Sequence, residues 1–213
     1  MKIVVDLIMF DLDGTLADTG PDLADAVNYT RAHFKLEPLP NDLVYSHVGY
    51  GVEHLLKHSL PQQDRFPEVM RVFLARYENH LLDKTVLYPG VLGALDCFRE
   101  KRRVVVTNKM HRLAVAIIQG LGIELQLDAI LGGDSVPEKK PHPALVNEVL
   151  RRYQVLPAKA LMVGDGDTDV EAGKRAGVVT CGVTYGLGNK RDLTAAQPDF
   201  LIDDLIQLSD YFC

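Results

Sequence analysis

The feature that most constrains this chain is an apolar run over residues 3–10, interrupted only at Asp6, that delivers Asp11-Leu12-Asp13-Gly14-Thr15. A strand so uniformly apolar needs both faces covered, which points to a parallel sheet with helices on either side. In extended backbone, positions i and i+2 point the same way. Asp11 and Asp13 therefore share one small volume, while Leu12 turns away into the core. Gly14 frees the chain to turn sharply. Two neighbouring carboxylates repel and would protonate without a cation between them, and the economical cation is a hard divalent metal bound by oxygen. Taken alone, the same stretch also reads as a solvated acidic turn after a core strand, since Asp and Gly are ordinary turn residues.

The rest of the chain supplies the context. Residues 18–84 read as helical throughout: apolar positions recur at helical spacing over 21–34 and 67–82, with shorter pieces near 41–47 and 51–60 and no strand. From residue 85 short apolar strands alternate with helices. Helices are expected at 90–101, 112–121, 168–176 and from the Pro141-His142-Pro143 loop to about 153. Strands are expected at 104–106, 127–131, 160–163 and, as the last core strand, 178–183. This alternation predicts an α/β fold, a doubly wound parallel sheet with an inserted small α-helical cap. The expected core comprises residues 1–17 and 85–213 and the cap 18–84, with hinges near 16–20 and 83–88. Ligands of such sheets bind outside the carboxyl ends of the strands.

With 213 residues the chain can be one large domain or a core plus a smaller insert, and 47% hydrophobic with 24% charged residues is the composition of an ordinary globular protein. A net charge of −6 argues against non-specific nucleic-acid binding and against anionic membrane surfaces. Local metal and lysine still permit a small anionic substrate. The three cysteines, Cys97, Cys181 and Cys213, form no CxxC pair, so reduced thiols are expected and neither a zinc site nor a disulfide framework. The first residues do not resemble a signal peptide and no apolar stretch approaches ~20 residues, so the expected location is cytoplasmic. His54 and His58 stand four apart on a helix, without a third ligand indicated.

Each core strand ends in polar groups. The first gives Asp11, Asp13 and Thr15, the second Thr107, Asn108 and Lys109; a later loop gives Lys140, and the fourth strand gives Asp165 with Asp169 beyond it. Singly, these are ordinary helix caps, loop cations and first-turn acids. Their joint placement after successive strands suggests phosphoryl transfer. The carboxylates need positive charge, from Mg²⁺ and from an ammonium such as Lys140. An aspartate can serve as covalent nucleophile, and a second carboxyl two residues later can protonate the leaving oxygen and then activate water. A hydroxyl and backbone amides after the second strand, with Lys140, would hold the phosphoryl oxygens. The cap loop His47-Val48-Gly49-Tyr50-Gly51 is the candidate for the far end of the substrate. Its glycines allow a concave set of N–H groups that can receive a carboxylate, with His47 or Tyr50 as added donor. It reads equally as a helix–helix connection.

Asp11-Leu12-Asp13-Gly14-Thr15, Thr107-Asn108-Lys109, Lys140-Pro141-His142-Pro143 and Gly164-Asp165 through Asp169 resemble, in order, the four motifs of the haloacid dehalogenase superfamily. The resemblance spans essentially the whole chain. It implies Asp11 as nucleophile, Asp13 as acid/base that also lends a backbone carbonyl to the metal, and Lys140 as the cation pairing nucleophile and phosphate. It implies Thr107 and Asn108 as phosphate donors, with Lys109 beside them, Asp165 as metal ligand and Asp169 as the residue ordering that shell. A carboxylate at Asp13 sets the chain apart from the dehalogenases, whose leaving group needs no proton. Within the superfamily the phosphoglycolate phosphatases are most similar, on Asp13 through Leu23, Val48 through Gly51, Thr107 through Lys109 and Gly132-Gly133-Asp134 leading into Lys140-Pro141. Three positions depart from their pattern. Met110 stands where Pro is frequent and Gly166 where Ser is common, and Asp167 is an added acid, expected to face solvent. The resemblance implies a Mg²⁺-dependent phosphomonoester hydrolase working through an aspartyl-phosphate on a small phosphorylated metabolite, 2-phosphoglycolate first, as monomer or homodimer. The rivals are a phosphosugar mutase, a superfamily phosphatase for sugar phosphates, nucleotides or pyrophosphate, and a switch that is merely phosphorylated on aspartate. The cap loop at 47–51 carries no Lys or Arg, which favours hydrolysis over a mutase.

Overall fold

Leu7–Phe10 (β1) is fully buried and lies inside a six-stranded parallel sheet of order β5-β4-β1-β6-β7-β8. The computed structural model describes residues 2–61 and 63–213. In chain order the elements after β1 are β2 (Ala17–Asp18), α1 (Gly20–His33), α2 (Asn41–Tyr45), α3 (Val52–Ser59), α4 (Phe66–Tyr77) and β3 (Val86–Leu87). There follow α5 (Val91–Cys97), β4 (Arg102–Val106), α6 (His111–Gly120), β5 (Ala129–Leu131), α7 (Ala144–Tyr153), β6 (Ala160–Gly164), α8 (Asp167–Ala176) and β7 (Val179–Val183). The chain closes with α9 (Lys190–Ala195), β8 (Phe200–Ile202) and α10 (Leu208–Tyr211).

Period-two alternation explains the placement of β1. Ile8 and Phe10, joined by Leu12, enter one apolar cluster with Val105, Leu161 and Val163. Leu7 and Met9 enter the other with Val104, Val106 and Met162. Both faces are thus covered, as a parallel sheet requires. The chain leaves β1 for β4 and β5 on one side, then crosses back to β6 on the other. The carboxyl ends of β4, β1 and β6 therefore flank the reversal of strand order, where α/β sheets open a crevice.

Helices α1–α4 form the inserted cap, with α1 packed against α2 and α4. The two crossings into and out of the cap run side by side as an antiparallel ribbon, Ala17 opposite Leu87 and Asp18 opposite Val86. Asp22, buried in the first turn of α1, clasps the returning chain: its Oδ2 accepts from Thr85 N at 2.8 Å and Thr85 Oγ1 at 2.7 Å, and it also accepts from Lys84 N at 3.0 Å.

Several elements differ from expectation. The first strand begins at Leu7, and Ile3 instead makes an isolated bridge to Phe212. Asp18 lies in a two-residue strand although 18–84 carried no strand signal; so short a ribbon shows no periodicity. α4 ends at Tyr77, five residues before the expected end at Leu82, and His80 Nδ1 there meets Asp83 Oδ2 at 2.7 Å. The helix expected over 90–101 is shorter, at Val91–Cys97. β7 is not the last core strand, because Phe200–Ile202 adds β8 in parallel beside it; three residues between Asp199 and Asp203 are too few to reveal a pattern. Among the described residues, no helix is long and apolar enough to cross a membrane.

Candidate active site

Buried Lys140 organises the rim. Its Nζ lies 3.0 Å from Asp11 Oδ1 and 2.5 Å from Asp169 Oδ1, and donates to the Val106 carbonyl at 2.7 Å. Burial opposes the charge, yet Asp11 and Asp169 beside it hold its pKa above the ordinary lysine range. One oxygen each from Asp11, Asp165 and Asp169 lie within 4.8 Å of one another, the one group among the described residues with the spacing to hold a metal ion. Burial, with Asp11 and Asp169 adding repulsion, pushes the Asp165 carboxyl up to about 8. Burial raises Asp169 as well, against the pull of Lys140. With all three carboxylates ionised, the one ammonium would leave two negative charges in a buried volume, which is why burial favours their protonated forms until a cation is bound. An all-oxygen donor set with that deficit fits a hard divalent cation.

Gly14 makes the cluster possible. Its φ is +80°, and a Cβ there would lie 2.0 Å from Asp165 Oδ2. The loop after β7 completes the support. Gly188 N donates to Asp165 Oδ2 at 2.8 Å, Tyr185 Oη donates to the Thr15 carbonyl at 2.8 Å, and Thr15 Oγ1 reaches Asp165 Oδ1 at 3.3 Å. A Cβ on Gly186 would come within 2.4 Å of Asp165 Oδ2. Sequence reading passed over this loop; the available signal was Tyr185-Gly186-Leu187-Gly188 directly after a strand.

Asp11 and Asp13 line one cavity, but their carboxylates have different partners. Asp13 accepts from Lys109 Nζ at 2.8 and 3.0 Å and from Thr19 Oγ1 at 2.6 Å, and it lies outside the metal-ligating carboxylate group. Lys109, expected at the substrate, lines the same cavity; its Nζ is paired with Asp13 and lies 5.1 Å from the centre of the Tyr77 ring. Burial works against its charge, but Asp13 and Tyr77 keep its pKa well above the usual lysine value.

Asn108, expected as a phosphate donor, lines the same cavity, and its side-chain amide is bonded within the protein. Nδ2 donates to the carbonyls of Gly49 and Lys140, each at 2.8 Å, and Oδ1 accepts from Lys140 N at 2.9 Å. It ties the loop of Lys140 to the cap. Thr107 Oγ1 accepts from Lys109 N at 3.2 Å. Met110 lines the cavity, and its φ of −56° is one that proline adopts, so the departure at this position keeps the backbone shape.

The cap loop divides. Gly49 and Gly51, with Val48, line the cavity. Tyr50 points out of it, and its hydroxyl donates to both carboxylate oxygens of Asp167 at 2.8 Å. The expectation that Asp167 merely faces solvent is therefore corrected. Burial, with Asp167 beside it, raises the Tyr50 phenol far above its usual range, so it stays a donor. His47 packs against His58 and His54, with ring centres 5.2 and 6.3 Å away. The cavity is narrow, with about 40 Å³ open to the centre of a water-sized sphere, and its walls from the cap are apolar: Leu23, Val52, Leu55, Phe73.

Comparison with known proteins agrees with this arrangement. The family model described as haloacid dehalogenase-like hydrolase matches residues 8–183. A phosphoglycolate phosphatase of Chromobacterium violaceum is 37% identical over 95% of this chain and 94% of its own. One of Pasteurella multocida is 34% identical over 95% and 96%. A solved structure described as a predicted phosphoglycolate phosphatase of Haemophilus somnus superposes with a TM-score of 0.93 at 31% identity, covering 97% of each chain. The chain belongs to the haloacid dehalogenase-like hydrolases, and it is a phosphatase of that family.

Proposed function

We propose that the chain hydrolyses a small phosphomonoester, 2-phosphoglycolate, by way of an aspartyl-phosphate on Asp11. One observation carries this reading: Asp11 and Asp13 open onto the same cavity, one set beside Lys140 and the metal-ligating carboxylates, the other held apart by Lys109 and Thr19. That separation gives two neighbouring carboxylates two roles.

Asp11 attacks phosphorus, and the ester oxygen leaves with a proton delivered by Asp13. Asp13 then takes a proton from the water that attacks the aspartyl-phosphate, releasing inorganic phosphate and restoring the Asp11 carboxylate. Lys140 holds Asp11 in line and neutralises charge on the phosphoryl oxygens, which the Thr107 hydroxyl and the backbone after β4 also meet. Asp11 and Asp165, with the backbone carbonyl of Asp13, would hold Mg²⁺, and Asp169 would order that shell. When bound, the ion supplies the positive charge that lets these carboxylates and a phosphate share one site.

Residues 18–84 act as the cap over the core of 1–17 and 85–213, excluding bulk water while the site is loaded. The narrow cavity favours a small substrate, whose carboxylate would be received by backbone N–H groups at Gly49 and Gly51. Names carried by relatives at 34–37% identity support the same substrate. The free state of Cys97, Cys181 and Cys213 supports a cytoplasmic setting.

The test is Mg²⁺-dependent phosphate release from 2-phosphoglycolate, sugar phosphates, nucleoside monophosphates and pyrophosphate. The reading predicts 2-phosphoglycolate as the best substrate and no release by Asp11→Asn. A tenfold preference for another compound, about 1.4 kcal/mol in transition-state binding, would overturn the substrate; release by Asp11→Asn equal to wild type would overturn the mechanism.

A further inference from the structure

Among the described residues, two polar contacts join the cap loop at 47–51 to the core. One is Asn108 Nδ2 on the Gly49 carbonyl. The other is Tyr50 Oη on Asp167, shared between both carboxylate oxygens at 2.8 Å and linking residues 117 apart in sequence. Asp167 is the first residue of α8, between Asp165 and Asp169, so its backbone is fixed by the same turn that orients the metal-ligating carboxylates. Its side chain points away from them, toward the cap. On the other side, the Tyr50 ring rests on His54 of α3, with ring centres 4.7 Å apart and planes tilted by 30°. The hydroxyl is thus held between a cap helix and a core helix, outside the substrate cavity.

We propose that Tyr50 and Asp167 form a strut that holds the cap shut over the loaded site, acting as positioning residues rather than substrate contacts; the inference rests on the phosphatase reading above. A neutral hydroxyl on a carboxylate is a charge-assisted hydrogen bond, stronger than a neutral pair. Opening the cap breaks it and returns both groups to water, so the bond biases the equilibrium toward the closed state. Asp167 is an added acid relative to the pattern this chain resembles, and Tyr50 carries the one side-chain hydroxyl of the cap loop at 47–51. The closed state is the one in which Gly49 and Gly51 reach the substrate, so the strut acts on substrate capture, not on the chemical step.

The experiment compares wild type with Tyr50→Phe, Asp167→Ala and the double variant. Hydrogen exchange of residues 47–51 in the resting, substrate-free protein is read first, then steady-state phosphate release from 2-phosphoglycolate with Mg²⁺. Each single variant is expected to speed exchange in the loop and raise KM about three- to tenfold with kcat within about twofold. The double variant should be no worse than the stronger single one. Asp167→Asn, which keeps an acceptor for the hydroxyl, should fall between wild type and Asp167→Ala. Unchanged loop exchange together with unchanged KM, or effects of the two single changes that simply add, would overturn the strut. Because the exchange measurement needs no turnover, loss of the substrate assignment alone would leave it readable.

Discussion

Gly14 shows how much of this site depends on single atoms. With φ at +80° and Asp165 Oδ2 where a Cβ would go, 2.0 Å away, Gly14→Ala should both strain the turn and displace a metal-ligating carboxylate. Loss of Mg²⁺ affinity in calorimetric titration, with activity down more than about a hundredfold, is the expected outcome. Lys109→Met should behave differently. It strands the buried Asp13 carboxylate, costing about 3–5 kcal/mol in urea unfolding, and it slows release of the leaving group. The raised Asp165 carboxyl carries a sign that can be checked. Metal-free folded protein holds its proton up to about 8, whereas the unfolded chain loses it near ~4. The folded state therefore binds more protons across that window, and stability falls as pH rises through it. Thermal unfolding in chelator should give a lower midpoint at about pH 8 than at about pH 5, and Mg²⁺ should narrow the gap. At this scale the sequence revealed which residues stand at the rim, because strand ends and spacing are local. It did not reveal that Lys109 would reach Asp13, that the Asn108 amide would be used on Gly49 and Lys140, or that Asp167 would meet Tyr50. Those partners are 96, 59, 32 and 117 residues apart, and no local pattern encodes where a side chain reaches across a fold.

Among the elements, β1 sets the position of everything else. Its residues alternate between two apolar clusters, and its parallel neighbours β4 and β6 bring Thr107 and Asp165 to the same end. Phe10 is fully buried one residue before Asp11. Phe10→Ala should cost about 3–5 kcal/mol in denaturant unfolding, with the loss reduced if the surrounding side chains close the cavity. Strands β1, β4, β6 and β7 and the helices α1, α6 and α8 were legible, because each carries several apolar residues at a clear period. β2, β3 and β8 were not. Each is two or three residues long, and each exists because a neighbouring strand offers its edge. The overextended helix predictions at 67–82 and 90–101 have a related root, since apolar residues continue past Tyr77 and Cys97, where the helices end.

Over the whole molecule, cap and core meet at a ribbon of two short strands clasped by Asp22, and again at Asn108–Gly49 and Tyr50–Asp167. The ribbon falls in the segments expected as hinges, 16–20 and 83–88, because an insertion must leave and rejoin its host at neighbouring points. Thr19, next to the ribbon, bonds Asp13, so the ribbon and the proposed acid/base group are in direct contact. On the proposed mechanism, the cavity between cap and core keeps bulk water out while a phosphoryl group is transferred to Asp11. The most direct test of that claim is acid quenching of the Asp13→Asn enzyme during turnover of 2-phosphoglycolate with Mg²⁺, followed by peptide mass analysis. The account predicts one phosphoryl group on the peptide that carries Asp11, formed slowly because the leaving oxygen lacks its proton donor and retained because the attacking water lacks its base. Turnover at a normal rate with no phosphorylated Asp11 peptide, in wild type and variant alike, would contradict it.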